Sequence, residues 1–188
     1  MTMDDHQMGW KLKEIFIPGD EFNSVSPVDG VSLVVGGQHA ELSDFGFGGI
    51  EMDASDGVAH IMRIPWDLDV TKEVFMRLHF ASDSTDADTV DWDATYKFYA
   101  VGAAWVAATG DGTLAFDQVT MSTTAYLDTV TDWLPMLFTT NYAAGDYFLG
   151  IQIICTAFAG TADEMFFMGM DLAYTISALG AERQVTSV

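Results

Sequence analysis

The stretch Met165-Phe-Phe-Met-Gly-Met-Asp-Leu-Ala-Tyr-Thr-Ile176 decides the fold. Phe166, Met168, Met170, Leu172, Tyr174 and Ile176 fall on every second residue, while Phe167, Gly169, Asp171, Ala173 and Thr175 fill the other parity. A period of two with one apolar side marks a strand that turns one face to a core. Upstream, Tyr147, Leu149, Ile151, Ile153 and Cys155 share one parity, and Phe148, Gly150, Gln152 and Ile154 the other. Being apolar on nearly both parities, this run reads as a central strand covered on both faces. Ala159-Gly-Thr-Ala-Asp163 between them has the glycine and the length of a hairpin loop, so the C-terminal third predicts one long hairpin on which the rest packs.

The remaining chain repeats the pattern in shorter pieces. Gly9 to Pro18 ends on Pro18-Gly19-Asp20, an edge strand stopped by turn chemistry. This divides the chain into an N-terminal arm and edge strand, residues 1–20, and a single β-sandwich domain, residues 21–188. Val31 to Val35 is a short strand between glycine turns, and Asp44-Phe-Gly-Phe-Gly-Gly is too glycine-rich for a helix. Val58 to Ile64, Val74 to Phe80 and Trp92 to Ala100 alternate as half-buried strands. From 102 to 132 the signal weakens, with a short strand at Leu114 to Val119 and a one-turn helix near Asp128 to Leu134. Leu134 to Tyr142 is extended again despite Pro135. Roughly seven to nine strands without a long amphipathic helix predict an all-β fold, an antiparallel β-sandwich of jelly-roll type.

Length and composition set the outer bounds. A chain of 188 residues fits one domain with a single core, and its 49% hydrophobic residues exclude disorder. No apolar run approaches the roughly 20 residues of a membrane-crossing helix. The start, Met1-Thr-Met-Asp-Asp-His, is acidic where a signal peptide is basic and then apolar, so no Sec-type export is expected. Cys155, the one cysteine, sits on a predicted core strand and reads as a small buried apolar group. Against 28 acidic residues stand 7 basic ones, a net charge of −21. Seven scattered cations cannot build a phosphate-binding patch, so nucleic acid is not an expected partner; the acidity reads as a solvated surface that a basic partner surface would complement.

Searching for chemistry returns little. There is no Gly-rich phosphate loop, no Gly-x-Ser-x-Gly elbow, no His-Glu-x-x-His and no paired-Cys motif. His6, His39, His60 and His79 are scattered, and the His-x-His spacing of a cupin-like metal centre is missing. Asp83, Asp86, Asp88, Asp91 and Asp93 are close enough to share a hard cation, but they lack the turn glycine and terminal Glu of an EF-hand and read as a solvated loop. No catalytic, cofactor or metal residue is therefore assigned, and the protein is expected not to be an enzyme. Trp66, Trp92, Trp105 and Trp133 read as plugs for the ends of the sandwich; stacking on sugar rings, as in a carbohydrate-binding β-sandwich module, is the alternative.

Arg63-Ile-Pro-Trp-Asp, Glu73-Val-Phe-Met-Arg-Leu-His-Phe-Ala-Ser-Asp, Val90-Asp-Trp-Asp-Ala-Thr-Tyr-Lys-Phe-Tyr-Ala-Val-Gly and Gly145-Asp-Tyr-Phe-Leu-Gly-Ile-Gln-Ile, followed by 163–174, form one series. Over residues 57–176 the series resembles jelly-roll head decoration or cement proteins of tailed bacteriophages. The resemblance implies a non-enzymatic virion protein, made in the host cytoplasm and carried on the capsid exterior. It would bind the major capsid protein and stabilise contacts between shell subunits as a homotrimer. It brings no catalytic residues. Independently, so much aromatic and Met surface on about 190 residues exceeds what one sandwich hides, and contiguous exposed apolar patches mark interfaces. Met8 and Trp10 in the arm and Phe45, Phe47 and Ile50 in the glycine-aromatic stretch are the expected partner contacts.

Overall fold

The computed structural model describes residues 12–25, 39–41, 48–65, 67–69, 72–100, 111–136, 147–159 and 165–176. The predicted strand at Val31 to Val35 and the stretch at Phe45 and Phe47 lie outside them, as do Met8, Trp10, Trp66 and Trp105. The described elements are strands β1 (Leu12–Pro18), β2 (Asn23–Val25), β3 (His39–Glu41), β4 (Gly48–Met52), β5 (Gly57–Arg63) and β6 (Val74–Ser82), with a single 3-10 turn at Gly19–Glu21. They continue with β7 (Thr89–Ala100), β8 (Gly112–Thr120), β9 (Thr129–Val130), β10 (Leu134–Met136), β11 (Tyr147–Ala159) and β12 (Met165–Thr175).

These strands form two antiparallel sheets. The seven-stranded sheet runs β10-β6-β12-β4-β3, with β1 also on β12 and β9 on β6; the five-stranded sheet runs β2-β5-β11-β7-β8. From β4 onward the chain steps back and forth between the sheets, which is the jelly-roll form of the β-sandwich. Among the described residues β1 pairs only with β12, from Leu12 opposite Thr175 to Pro18 opposite Gly169, and is the edge strand the sequence predicts.

The long hairpin does not form. β11 pairs with β5 and β7, and β12 with β1, β4 and β6, so the two face each other from opposite sheets. Two strands with this much apolar surface each take a central place, and packing face to face lets both bury it in one layer about 10 Å thick. On β11 the parity of Leu149, Ile151, Ile153 and Cys155 is buried, while Phe148, Gly150, Gln152 and Ile154 are only half-buried, so one face rather than two is fully covered. The predicted helical turn near Asp128 is also extended: Thr129 and Val130 pair with Phe80 and His79 as β9.

A bulge in β12 changes which residues face inward. Phe167 is opposite Phe80 and Gly169 opposite His79, so Met168 is extra and the alternation changes phase there. Met165 and Phe167 point into the core before the bulge, and Met170, Leu172 and Tyr174 after it. A strict period of two holds only for the second half. Gly169 has φ 147°, and a Cβ there would sit 2.5 Å from the Ile17 carbonyl oxygen, so the bulge position needs glycine. Phe167 meets Phe22 at 4.9 Å between ring centroids and Trp92 at 6.2 Å, and Phe80, the register partner of Phe167, lies 5.9 Å from Trp92. Trp92 lies wholly within this core rather than at an end of it. Cys155 is buried, and burial, followed by the nearby Asp56, Asp91 and Asp53 charges, pushes its thiol up to about 12, leaving it the inert apolar filler expected.

Candidate functional site

The outer face of the seven-stranded sheet carries a polar network rimmed by exposed apolar side chains. Asp171 on β12 stands directly across from Arg77 on β6 and diagonally from His79, two residues further along the same side of β6. The bulge is what sends Asp171 outward among apolar residues. Arg77 Nε donates to Asp171 Oδ2 at 2.7 Å, and His79 Nε2 lies 2.8 Å from the same oxygen. Nδ1 of the same ring lies 3.0 Å from Oδ2 of Asp128. The Asp171 side chain is 8% exposed and that of Asp128 52%, so the network runs from a nearly buried carboxylate to an open one. The Arg77 guanidinium carbon sits 4.4 Å over the Trp133 ring, and Phe16 meets the His79 ring edge-on at 5.2 Å. A carboxylate this enclosed is tolerable because the Arg77 guanidinium and the His79 ring both hold it.

Residues 121–128 run as a strap from the buried Met121 to the end of β6, and reach over this face through the side chains of Tyr126 and Asp128. The Tyr126 amide donates to the Ser82 carbonyl at 2.7 Å, and its ring packs on Phe166 at 5.9 Å. Tyr126 adopts φ 60°, a left-handed conformation costly for an aromatic residue, so the strap is held by its contacts rather than by local preference. Beyond it, Thr131 exchanges hydrogen bonds with the Leu78 backbone at 2.9 and 3.0 Å. The hydrogen bond that the ring donates to Asp128 pushes the His79 pKa above its ordinary value; burial opposes this, and Asp171 adds to it.

Exposed large apolar side chains gather here. Phe16 is 52% exposed, Leu127 53%, Tyr126 50%, Val130 42% and Leu12 40%. Leu12 and Phe16 share the outward parity of β1, and Val130 is opposite His79 on β9. The remaining exposed large apolar residue among those described, Ile61, is on the five-stranded sheet. There a groove of about 250 Å³ has Gly150 in its floor, with Ile61, Thr95, Lys97, Tyr99 and Gln152 along it. None of its described lining residues is acidic.

The residues singled out from sequence fare differently. Ile50 is 2% exposed and belongs to the core, where its register opposite Phe167 places it; as a partner contact it is corrected, because its side chain is consumed inside the subunit. Met8, Trp10, Phe45 and Phe47 lie outside the described residues. His60 is a packed strand residue, with Nδ1 3.0 Å from the Glu21 carbonyl oxygen and its ring 5.0 Å from Phe22. In the acidic segment, Ser84 Oγ donates to Asp88 Oδ2 at 3.0 Å and accepts from the Asp86 amide at 3.1 Å, so the serine side chain ties the turn together. Burial, then Asp117 and Asp91, raises the Asp93 pKa. No set of three or more His, Cys, Asp or Glu among the described residues is arranged to hold a metal ion. The Arg77–Asp171–His79 network was missed, although a lone acid inside an apolar strand calls for a cation on a neighbouring one.

No family model matches the sequence, and no curated protein matches it. Among solved structures, the insecticidal delta-endotoxin Cry8Ea1 of Bacillus thuringiensis is similar at TM-score 0.37 and 8% identity, over 69% of this chain and 20% of the toxin. A cycloisomaltooligosaccharide glucanotransferase of a Paenibacillus species, complexed with cycloisomaltoheptaose, is similar at TM-score 0.32 and 12% identity, over 91% of this chain and 18% of the enzyme. The chain thus spans about a fifth of either protein, and likeness at this level carries no functional argument. Among the described residues no helix is long and apolar enough to cross a membrane.

Proposed function

We propose that this chain is a non-enzymatic structural protein of a phage virion. It binds the outside of the capsid and cements contacts between major capsid subunits, acting as a homotrimer. The observation that carries this reading is the outer face of the seven-stranded sheet, where Phe16, Val130, Tyr126 and Leu127 stand exposed around a fixed ion network. Exposed aromatics around desolvated charges are the anatomy of a docking surface. With a net charge of −21 per chain, copies repel one another, so a trimer contact must be mainly apolar and tighten as salt screens the repulsion. A basic shell surface complements the same charge. The test is electron microscopy and heating of purified particles that lack only this protein. Loss of surface density and earlier shell rupture are expected; unchanged density and stability sink the proposal.

Sugar binding is the second reading, favoured by the acid-free groove with Tyr99 and Gln152 on the other sheet. A glycan array is expected to light up there if the reading holds, and silence above background removes it. The two described tryptophans do not support it: Trp92 is fully buried and Trp133 lies beneath Arg77.

A further inference from the structure

We propose that His79 is a proton-operated latch that fastens the 121–128 strap across the docking face, so that the surface is ordered when the ring is charged and loosened when it is neutral. The inference deepens the reading of this face as the docking surface and rests on it for its biological meaning, although the latch itself is a property of the isolated chain.

The argument is one of donors and acceptors. An ionised carboxylate only accepts hydrogen bonds, and a neutral imidazole has one donor and one acceptor nitrogen. His79 has a carboxylate oxygen within 3.0 Å of Nδ1 and another within 2.8 Å of Nε2. Both bonds form only when both ring nitrogens carry protons. Asp171 keeps Arg77 as a second donor, at 2.7 Å, whereas Asp128 is joined to the sheet by the His79 ring. Loss of one proton therefore falls on the strap: the neutral ring keeps its single donor for the more enclosed Asp171 and turns a lone pair towards Asp128.

Other elements around the ring leave this bias intact. β6 contributes Arg77, β12 contributes Asp171 and the strap contributes Asp128, while β1 and β9 present the uncharged Phe16 and Val130. Glu14, outward on β1, is set opposite Ala173, two residues along from Asp171, and is a further acid on this face. The strap has reason to move once released, since Tyr126 is held at φ 60°. The sign follows from the raised His79 pKa. Below the ordinary value near 6.5 the latch contributes fully, and its contribution is lost as pH rises through the raised value.

The test uses the intact chain and its Asp128→Asn variant, which changes a half-exposed residue and leaves Arg77 and Asp171 in place. Imidazole nitrogen NMR gives the His79 titration in each, and hydrogen exchange, corrected for intrinsic rates, follows the Tyr126 amide at pH 5.5 and 9. The His79 pKa is expected to be lower in the variant. Protection at Tyr126 in the unaltered chain should fall with rising pH by roughly tenfold for each unit of that difference, because the coupling is reciprocal. Equal titration of His79 in the two proteins, or strap protection independent of pH, overturns the latch. If the latch holds and shell attachment proves indifferent to pH, the docking assignment fails instead.

Discussion

Phe167→Ala is expected to remove about 3–5 kcal/mol of folding stability, the range for deleting a buried aromatic side chain. Phe167 is fully buried, and its ring meets that of Phe22, just after the 3-10 turn, and that of Trp92 on the facing five-stranded sheet, so truncation opens a cavity at the centre of the sandwich. Urea unfolding measures it. The comparison that matters is Phe166→Ala, one residue earlier. Phe166 is also buried, but outside the main core and beneath the half-exposed Tyr126, where the strap can settle into the space, so its loss should be smaller. Equal losses would contradict the phase change at the bulge.

Arg77→Met should cost about 2–4 kcal/mol, because it leaves Asp171 nearly buried with His79 as its one remaining cationic partner. The figure sits below that for a fully buried pair, since the Arg77 side chain is 28% exposed. The cost should depend on pH. Below about 6.5 the charged His79 still compensates Asp171, and as pH rises through its raised pKa the uncompensated charge shows in full. Thermal unfolding at pH 6 and pH 8.5 reads the difference. Combining Arg77→Met with Asp171→Leu should recover most of the loss, because the double variant has neither charge to desolvate.

The β-sandwich was legible because most of its strands alternate cleanly. Val74, Met76, Leu78 and Phe80 are buried, and so are Trp92, Ala94, Tyr96 and Phe98, on the parity that the sequence indicates. What alternation cannot convey is which strands pair. β11 and β12 are adjacent in sequence and equally apolar, yet a hairpin and a pair facing across a core give them the same pattern of buried residues. The segment after β8 was harder because β9 and β10 are 2 and 3 residues long, too short for any period. Of the site, Asp171 was visible as an oddity and Arg77 with His79 as one face of a strand. Their meeting depends on register, and the sequence had no way to announce the bulge that sets it.

The extra residue at Met168 also affects how relatives of this chain can be recognised. β12 consists of two short alternating blocks set out of phase, 165–167 and 170–175, joined by a glycine in a conformation other residues resist. A pattern search with a fixed period breaks in the middle of the most central strand. An alignment that closes the one-residue surplus would assign core residues to the surface on one side of it. Substitution can vary either block while conserving its own parity, but a change of length between them rotates Asp171 inward and a core side chain out. In this strand the number of residues constrains the fold more tightly than their identities do.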